Sequence, residues 1–346
     1  MFDINSITRE NIKKMKPYAS ARSEFFSSGA DMVYLDANEN PFENGVNRYP
    51  DPQQRSLKVE LASQKGISAK NILLGNGSDE ILDLIFRAFC EPRVDNIITL
   101  PPTFGMFKVL AGLNDVENRQ VVLTNKLQLD VQGVVKAIDE RTKVIFICSP
   151  NNPTGNSFNE EHIIRLLENF DGLVVLDEAY IHFSKKKSWV LQLEEYPNLV
   201  VVQTLSKAYG LAGIRLGICM ASEEIIAVLD KIKLPYNVNE LTQKRALIGI
   251  LNKNSIKEEI DCILNEKDSL LKELNQVYFI EKCYPSDTNF VLVKVDNANK
   301  RYKQLLDEGI VVRNRTSQVL CENTLRFTVG TPNENIKLIE VLKSLV

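Results

Sequence analysis

The chain has 346 residues, of which 44% are hydrophobic and 25% charged, with a formal net charge of −3 at pH 7. This length suits one large α/β domain with a smaller one beside it, and the composition is ordinary for a globular protein. The small negative charge argues against binding to nucleic acid or to an acidic membrane surface. No stretch approaches the ~20 apolar residues of a membrane span, and the amino terminus lacks the pattern of a secretion signal. We therefore expect a cytoplasmic protein.

Six cysteines and two histidines are scattered along the chain. No Cys-x-x-Cys pair occurs, and His162 and His182 do not have the spacing of metal-binding histidines. This pattern predicts reduced, mostly buried thiols and no metal site. It also gives little support to hydrolysis by a Ser-His-Asp triad.

Short β-branched runs that stop at polar or turn-forming residues recur in the first two thirds of the chain. They predict strands over residues 96–100, 144–148, 173–176 and 199–202, and a helix over 81–90. Strands separated by helical segments indicate a mostly parallel sheet in an α/β fold.

A break rich in proline and asparagine at residues 233–239 ends this alternation. We expect an N-terminal arm over 1–40 that packs with the small domain, a large α/β domain over 41–238 and a small α+β domain over 239–346. Within the small domain the sequence predicts the following elements in order: a helical stretch over 240–276 interrupted near 252–254, strands at 290–295 and 325–329, and a helix after Pro332.

Polar side chains follow three of the predicted parallel strands. Asn152 comes after the strand at 144–148, and Asp177 and Tyr180 come after the next strand. Lys207 follows the strand at 199–202 and precedes a Gly-rich turn. Because open α/β sheets bind ligands beyond the carboxyl ends of their strands, we expect these four residues to meet in one crevice.

Taken alone, Lys207 is most simply interpreted as a surface lysine at the end of a strand. In a shared crevice, burial and neighbouring charges lower the pKa of such a lysine, and its neutral amine then attacks aldehydes. Pyridoxal phosphate is an aldehyde cofactor that also needs a carboxylate at its pyridine nitrogen, donors at its ring oxygen and a phosphate site. The residue types match these needs as follows: Asp177 for the nitrogen, Asn152 and Tyr180 for the ring oxygen, and Thr204, Ser206 and Arg215 for the phosphate.

A glycine turn at residues 75–77 leads into the predicted helix over 81–90. Ser78 or Asp79 is expected to cap that helix, whose free N–H groups then face an anion such as a phosphate. The alternative is an ordinary capped helix. Phe104, after the strand at 96–100, either stacks on a flat ring or packs in the core.

Several motifs together resemble the fold-type I pyridoxal-phosphate aminotransferases. The motifs shared with many of them are Asn152-Pro-Thr-Gly155, Asp177-x-x-Tyr180, and Ser206-Lys207 with Arg215 eight residues on. A closer match, to the members that act on histidinol phosphate, rests on Asn38-Glu-Asn-Pro41, Arg48-Tyr49-Pro-Asp51, Gly77-Ser-Asp79-Glu80, Pro102-Thr-Phe104-Gly-Met106, and the pair Arg313 and Arg326.

This resemblance implies roles for individual positions. Lys207 is similar to the lysine that binds the cofactor aldehyde, Asp177 to the pyridine partner, and Asn152 and Tyr180 to the ring-oxygen ligands. The positions that match cofactor-phosphate ligands are Ser78, Asp79, Thr204, Ser206 and Arg215. Phe104 departs from many relatives, which have tyrosine there. Its ring keeps the stacking face and lacks the hydroxyl.

The resemblance also implies a homodimer and a substrate site. Tyr49 matches a tyrosine that reaches the cofactor phosphate of the neighbouring subunit. Tyr18 matches a substrate-contacting tyrosine of the N-terminal arm, and Arg313 and Arg326 match the arginines that take the substrate's anionic group. Asn152 is expected to contact the substrate as well as the ring oxygen. Tyr49, Tyr18, Arg313 and Arg326 each also have an ordinary interpretation, as a turn aromatic, an arm residue or a surface charge.

The implied reaction exchanges the amino group between histidinol phosphate and 2-oxoglutarate, giving imidazole acetol phosphate and glutamate, as in histidine biosynthesis. Alternatives with the same cofactor are an aromatic or broad-specificity aminotransferase and a threonine-phosphate decarboxylase. A regulator that binds the cofactor without turnover is an alternative of another class. The intact set of Lys207, Asp177, Tyr180 and Asn152 argues against it.

Overall fold

A seven-stranded sheet forms the larger layer of the computed structural model, in which residues 2–18 and 32–345 are described. Its strands are β1 (Ile72–Asn76), β2 (Asn96–Thr99), β3 (Glu117–Gln120), β4 (Thr142–Cys148), β5 (Leu173–Asp177), β6 (Leu199–Thr204) and β7 (Leu216–Ala221). Their spatial order is β1-β7-β6-β5-β4-β2-β3. Pairings from β6 through to β3 are parallel, whereas β7 runs antiparallel to both of its neighbours.

Helices cover both faces of this sheet, because its central strands are apolar on both sides. The helices of this part are α1 (Ile4–Ile7), α2 (Glu10–Lys14), α3 (Arg55–Lys65), α4 (Gly77–Phe89), α5 (Met106–Leu113), α6 (Val131–Ala137), α7 (Glu160–Glu168) and α8 (Glu223–Ile232). One core lies on each face. The first includes Leu57 of α3 and Leu166 of α7, and the second includes Phe86 of α4 and Leu229 of α8.

A separate antiparallel sheet of four strands lies towards the carboxyl end. Its strands are β8 (Ile280–Cys283), β9 (Phe290–Val295), β10 (Arg313–Asn314) and β11 (Thr324–Thr328), in the order β10-β11-β9-β8. The helices here are α9 (Glu240–Leu251), α10 (Lys253–Leu274), α11 (Ala298–Asp307) and α12 (Pro332–Ser344). The third core packs α10 and α12 against this sheet through residues such as Leu274, Val293 and Leu342.

These elements confirm the predicted strands to within a few residues and the predicted parallel sheet. The long helical stretch is interrupted at Asn252, as the sequence predicts, and the last helix begins at Pro332 with a capping box between Thr331 and Glu334. The division into an arm and two domains at residues 40 and 238 stays a prediction.

The amino end of the described chain contacts helices of the large sheet. The Arg9 backbone N–H donates to the Ala88 carbonyl at 3.1 Å, and Lys231 Nζ of α8 donates to the Ile12 carbonyl at 2.5 Å. Ile7 packs in the same core as Phe86. Residues 4–14 are therefore held on the α4 and α8 side of the molecule.

Candidate active site

The carboxyl ends of β1, β2, β4, β5 and β6 share one edge of the large sheet, and the antiparallel β7 begins at that edge. A cavity of about 530 Å³ opens there. Twelve sequence-predicted residues line it: Ser78, Asp79, Phe104, Asn152, Asp177, Tyr180, Thr204, Ser206, Lys207, Arg215, Arg313 and Arg326. The structure thus brings the residues from both sheets into one cleft.

Lys207 follows β6 and extends into the cleft, where its Nζ lies 5.8 Å from the centroid of the Tyr180 ring. Burial lowers the pKa of Lys207, and the positive charges of Arg326 and Arg215 lower it further, while Asp177 and Asp79 act in the opposite sense. Each guanidinium group disfavours the ammonium form because like charges repel. The surroundings of Lys207 therefore increase the fraction of its neutral amine relative to that of a lysine in water.

Asp177 ends β5 with its carboxyl group buried, at only 3% exposure. One carboxyl oxygen accepts from the Ala179 backbone N–H at 3.0 Å. Burial raises the pKa of Asp177 to about 6, although that hydrogen bond opposes the change. An ionised carboxylate in this place is stabilised by a positively charged N–H group in the cleft, since the charge of Lys207 already lowers its pKa.

Asn152 and Tyr180 lie between Lys207 and the small sheet. Arg326 of β11 donates from Nη1 to Asn152 Oδ1, and its guanidinium carbon lies 4.9 Å from the centroid of the Phe290 ring. Tyr180 packs edge-on against Phe290, with ring centroids 5.2 Å apart. Burial raises the pKa of Tyr180, so its hydroxyl keeps its proton and can donate a hydrogen bond.

The amino end of α4 forms one end of the cleft together with Arg215. The Gly77 N–H donates to the Arg215 carbonyl at 2.8 Å, and Arg215 Nη2 lies 3.1 Å from Asp79 Oδ2. Thr204 and Ser206 share a hydrogen bond of 3.0 Å between their hydroxyl groups on the other side. Hydroxyls, a guanidinium and the free N–H groups of a helix start make an anion site.

Two glycines allow the close packing at this end of the cleft. A Cβ atom at Gly217 of β7 would overlap the backbone of Gly77 and Ser78, and a Cβ at Gly77 would overlap the Arg215 guanidinium. Gly77 also has φ of +74°, which favours glycine. The strand, the helix start and the arginine therefore lie closer together than other residues would allow.

The predicted cap of this helix is wrong. The helix begins at Gly77, after Asn76, and no side chain caps it. Ser78 and Asp79 instead lie in its first turn. The hydrogen bond from the Gly77 backbone N–H to the Arg215 backbone carbonyl fixes the helix start earlier than the local sequence indicates. The N–H groups of this turn remain directed at the cleft.

Tyr49 and Tyr18 do not line this cavity within the part of the chain that the structure describes. Tyr49 stacks on Tyr236, with ring centroids 4.5 Å apart, and borders a second hollow of about 430 Å³ together with Val46 and Leu241. Tyr18 is 75% exposed and directly precedes residues 19–31, which lie outside the described residues. Their predicted roles stay predictions.

The cleft also contains residues that the sequence reasoning missed. Arg315 and Gln318 follow β10 and line the cavity beside Arg313 and Arg326, and Thr103 and Met106 line it beside Phe104. The spacing of Arg313 and Arg315 was the available signal, since alternate residues of a strand share a face. The strand that contains Arg313 is too short and too poor in apolar residues to be predicted from the sequence.

The residues present fit pyridoxal phosphate. Lys207, whose pKa is lowered, and the buried carboxyl group of Asp177 line the same cavity, and the α4 start with Arg215 offers a phosphate site. Towards the small sheet, Nε of Arg315 and Nε of Arg326 are buried without a hydrogen-bond partner. Such unpaired donors indicate that an anionic ligand belongs at this side of the cleft as well.

Comparison with known proteins identifies the class. The family model described as aminotransferase class I and II matches residues 34–342. The chain therefore belongs to the class I and II aminotransferases, and it is a pyridoxal-phosphate-dependent transaminase of fold type I.

Its relatives place it more narrowly, in the histidinol-phosphate aminotransferase family. The chain is 63% identical over 345 residues to the histidinol-phosphate aminotransferase of Flavobacterium johnsoniae, covering 99% of both chains. It is 59% identical over 344 residues to that of Christiangramia forsetii, covering 99% of this chain and 98% of the relative. The family, fold and cofactor predicted from the sequence are thereby confirmed.

Solved structures agree with this fold. The histidinol-phosphate aminotransferase of Clostridium acetobutylicum has a TM-score of 0.80 at 27% identity, covering 86% of this chain and 90% of that one. The enzyme from Sinorhizobium meliloti, solved in complex with pyridoxal-5'-phosphate, has a TM-score of 0.79 at 24% identity, covering 86% and 84%. At that identity the likeness extends to the fold alone.

Two further features are absent from the described residues, 2–18 and 32–345. No helix among them is long and apolar enough to cross a bilayer. No group of three or more His, Cys, Asp or Glu side chains among them is arranged to hold a metal ion.

Proposed function

We propose that this protein transfers the amino group of L-histidinol phosphate to 2-oxoglutarate, giving imidazole acetol phosphate and L-glutamate in histidine biosynthesis. The observation that carries the proposal is the cleft itself, where Lys207 and Asp177 face arginines of the small sheet across one cavity. The identity of 63% to a histidinol-phosphate aminotransferase supports the choice of substrate. We place the reaction in the cytoplasm, and no helix among the described residues is long and apolar enough to cross a bilayer.

When bound, pyridoxal phosphate supplies an aldehyde that exchanges amines and a ring that accepts the electron pair left at the substrate Cα. Lys207 is the residue that would hold the aldehyde carbon of the cofactor. Burial and the neighbouring arginines lower the pKa of Lys207, which increases the fraction of its neutral amine, and this amine removes the proton from the substrate Cα and returns it at the other end of the exchange.

Asp177 holds a proton at the pyridine nitrogen through its buried carboxylate. Burial raises the pKa of that carboxyl group to about 6, so a positive partner is needed to keep it ionised below that pH. A pyridinium N–H would be such a partner, and the pair would keep the bound ring electron-poor. Asn152 and Tyr180 are positioned to donate hydrogen bonds at the ring oxygen, and Phe104 is positioned to lie against the ring.

The phosphate of the cofactor is assigned to the anion site at the start of α4. Its proposed donors are the N–H groups of Ser78 and Asp79, the hydroxyls of Thr204 and Ser206, and the guanidinium of Arg215. The anionic group of the substrate is assigned to Arg313 and Arg326 at the opposite end. Tyr18, in the arm, is proposed to contact the substrate, on the resemblance alone.

The proposed active form is a homodimer in which Tyr49 reaches the neighbouring subunit's cofactor phosphate. The hollow beside Tyr49 supports this, since it is bordered by Val46 and Leu241, which are more than half exposed. Phe42 and Leu35 nearby in the chain are also exposed. Exposed apolar side chains in such number indicate a surface that another protein covers.

The experiment that tests the reaction is a single turnover of the cofactor-loaded protein, followed by the absorbance of the cofactor. Histidinol phosphate, phenylalanine and phosphothreonine are added in parallel. Fast conversion with histidinol phosphate alone supports the proposal, whereas comparable conversion with phenylalanine supports a broad-specificity aminotransferase. Release of carbon dioxide from phosphothreonine would instead support the decarboxylase.

A Lys207→Ala variant tests the site in the same assay. We expect no turnover, and no covalent cofactor after borohydride reduction and mass spectrometry. Lys244→Ala, at an exposed lysine paired with Glu240, is the control and should keep both. Turnover or covalent attachment retained in Lys207→Ala would remove the lysine from the mechanism.

A further inference from the structure

Arg315 brings a third guanidinium group to the substrate end of the cleft. It comes two residues after Arg313, which pairs directly with Arg326 across β10 and β11. The Arg315 N–H donates to the Thr324 carbonyl at 2.9 Å, so the β-like pairing continues to this position. Because residues two apart on a strand point to one face, Arg313, Arg315 and Arg326 all reach the same cavity.

These three cations have no carboxylate partner among the residues that the structure describes. Charged groups of like sign opposite one another destabilise a sheet, so the cluster is costly to the folded protein. Burial, and to a smaller extent the like charges of Arg326 and Arg313, lower the pKa of Arg315 to about 10. An anion in the cavity removes this cost.

Arg315 is also incompletely hydrogen-bonded. Its Nε is buried and has no hydrogen-bond partner. The same is true of the Nε of Arg326 and of the side-chain carbonyl of Gln318, which lies in the same loop as Arg315. Arg315 is half-buried and lines the cavity together with Tyr180, so it belongs to the interior of the cleft. A structural arginine of this kind normally has its guanidinium donors paired.

We propose that Arg315 is a specificity-determining residue that recognises the second negative charge of the substrate's phosphate. This inference rests on the proposed function. A carboxylate carries one charge and two oxygens, and two arginines can satisfy it. A phosphate monoester carries nearly two charges near pH 7 and has three acceptor oxygens, which a third guanidinium group matches.

The test compares histidinol phosphate with histidinol, which differs only in lacking the phosphate, on the cofactor-loaded enzyme. Arg315→Gln is expected to lower kcat/KM for histidinol phosphate roughly 10- to 100-fold, mainly through KM, as for the loss of a hydrogen bond between charged groups. For histidinol we expect less than about a threefold change, since no phosphate is lost. Arg315→Lys, which keeps the charge and loses the planar fork, is expected between the two.

Arg165→Gln is the matched control. Arg165 is an exposed arginine of α7, and it does not line the cleft. A second measurement uses inorganic phosphate as a competitive inhibitor. Its inhibition constant is expected to rise roughly tenfold in Arg315→Gln and to stay unchanged in the control. The cofactor absorbance and melting temperature of each variant show whether the fold is retained.

Equal losses with histidinol phosphate and histidinol would overturn the inference, as would a loss of less than about threefold with histidinol phosphate. These results differ from a failure of the proposed function, in which the unmodified enzyme itself does not convert histidinol phosphate. An enzyme that converts histidinol phosphate and is indifferent to Arg315→Gln contradicts this inference alone.

Discussion

Arg326 donates a hydrogen bond to the side-chain oxygen of Asn152, and this bond joins the small sheet to the large one directly over the cleft. Asn152 is buried after β4, and Arg326 is held in β11 opposite Arg313. A residue expected to contact the cofactor ring and a residue expected to contact the substrate are thus coupled to each other.

The first prediction concerns Arg326→Ala. We expect KM to rise roughly 10- to 100-fold for both histidinol phosphate and 2-oxoglutarate, because both present an anion to the same guanidinium group. Cofactor affinity should change less, since the cofactor phosphate is assigned to the other end of the cleft. Steady-state kinetics and a cofactor titration measure the two effects. An unchanged KM for both substrates would exclude Arg326 from the site.

The second prediction concerns the buried carboxyl group of Asp177. Its pKa rises from 3.8 in the unfolded chain to about 6 in the fold. The folded state therefore holds this proton more tightly, and the stability that it contributes is present at low pH and lost as pH rises from about 4 to above 6. In the cofactor-free protein, Asp177→Asn removes this loss of stability at high pH, because asparagine does not ionise.

Cofactor-free Asp177→Asn should accordingly be more stable than the unmodified protein above pH 7, by roughly 3 kcal/mol, with little difference near pH 4. Urea denaturation at a series of pH values measures this difference in the free energy of unfolding. The same variant should bind the cofactor more weakly and turn over far more slowly. A stability difference that is constant with pH would contradict the raised pKa.

The third prediction concerns Gly217, where any side chain would meet the backbone of Gly77 and Ser78. Gly217→Ala should push β7 away from the start of α4 and weaken the anion site, with a cost of about 1–3 kcal/mol in stability. Gly213→Ala is the control, because nothing lies within 4 Å of a Cβ atom there. Thermal unfolding and a cofactor titration distinguish the two. Equal cofactor affinity in both variants would show that the close approach is dispensable.

The fourth prediction concerns Tyr49 and the proposed homodimer. Tyr49→Ala is expected to bind the cofactor roughly tenfold more weakly, as for the loss of a hydrogen bond to a charged group. Mixing it with Lys207→Ala under conditions of subunit exchange should restore up to about one quarter of full activity, because half of the dimers then hold one intact site.

Activity after mixing is measured at limiting cofactor, and light scattering gives the mass of each species. Mixing without any recovery, in dimers shown to exchange, would mean that Tyr49 acts within its own subunit. A monomer by light scattering with full activity would contradict the homodimer itself.

Much of the fold and the cleft follows from local sequence. Asp177 and Lys207 were predictable because each follows a buried β-branched run, and the ends of parallel strands meet at one edge. Arg326 was predictable only through resemblance. What local sequence does not contain is contact between distant segments. The helix start at Gly77 depends on Arg215, and the part played by Arg315 depends on β10 pairing with β11.

The strand order also means that β1 is synthesised well before the strand with which it pairs. Among the described strands, β1 lies at the edge of the large sheet and pairs with β7, and Asp79, just after β1, contacts Arg215, which lies 136 positions further along the chain. At ribosomal rates of about 5–20 residues per second, that separation corresponds to roughly 7–30 s. Throughout that interval the first strand and its helix have been made but have no partner strand, and their apolar side chains are available to chaperones or to other nascent chains.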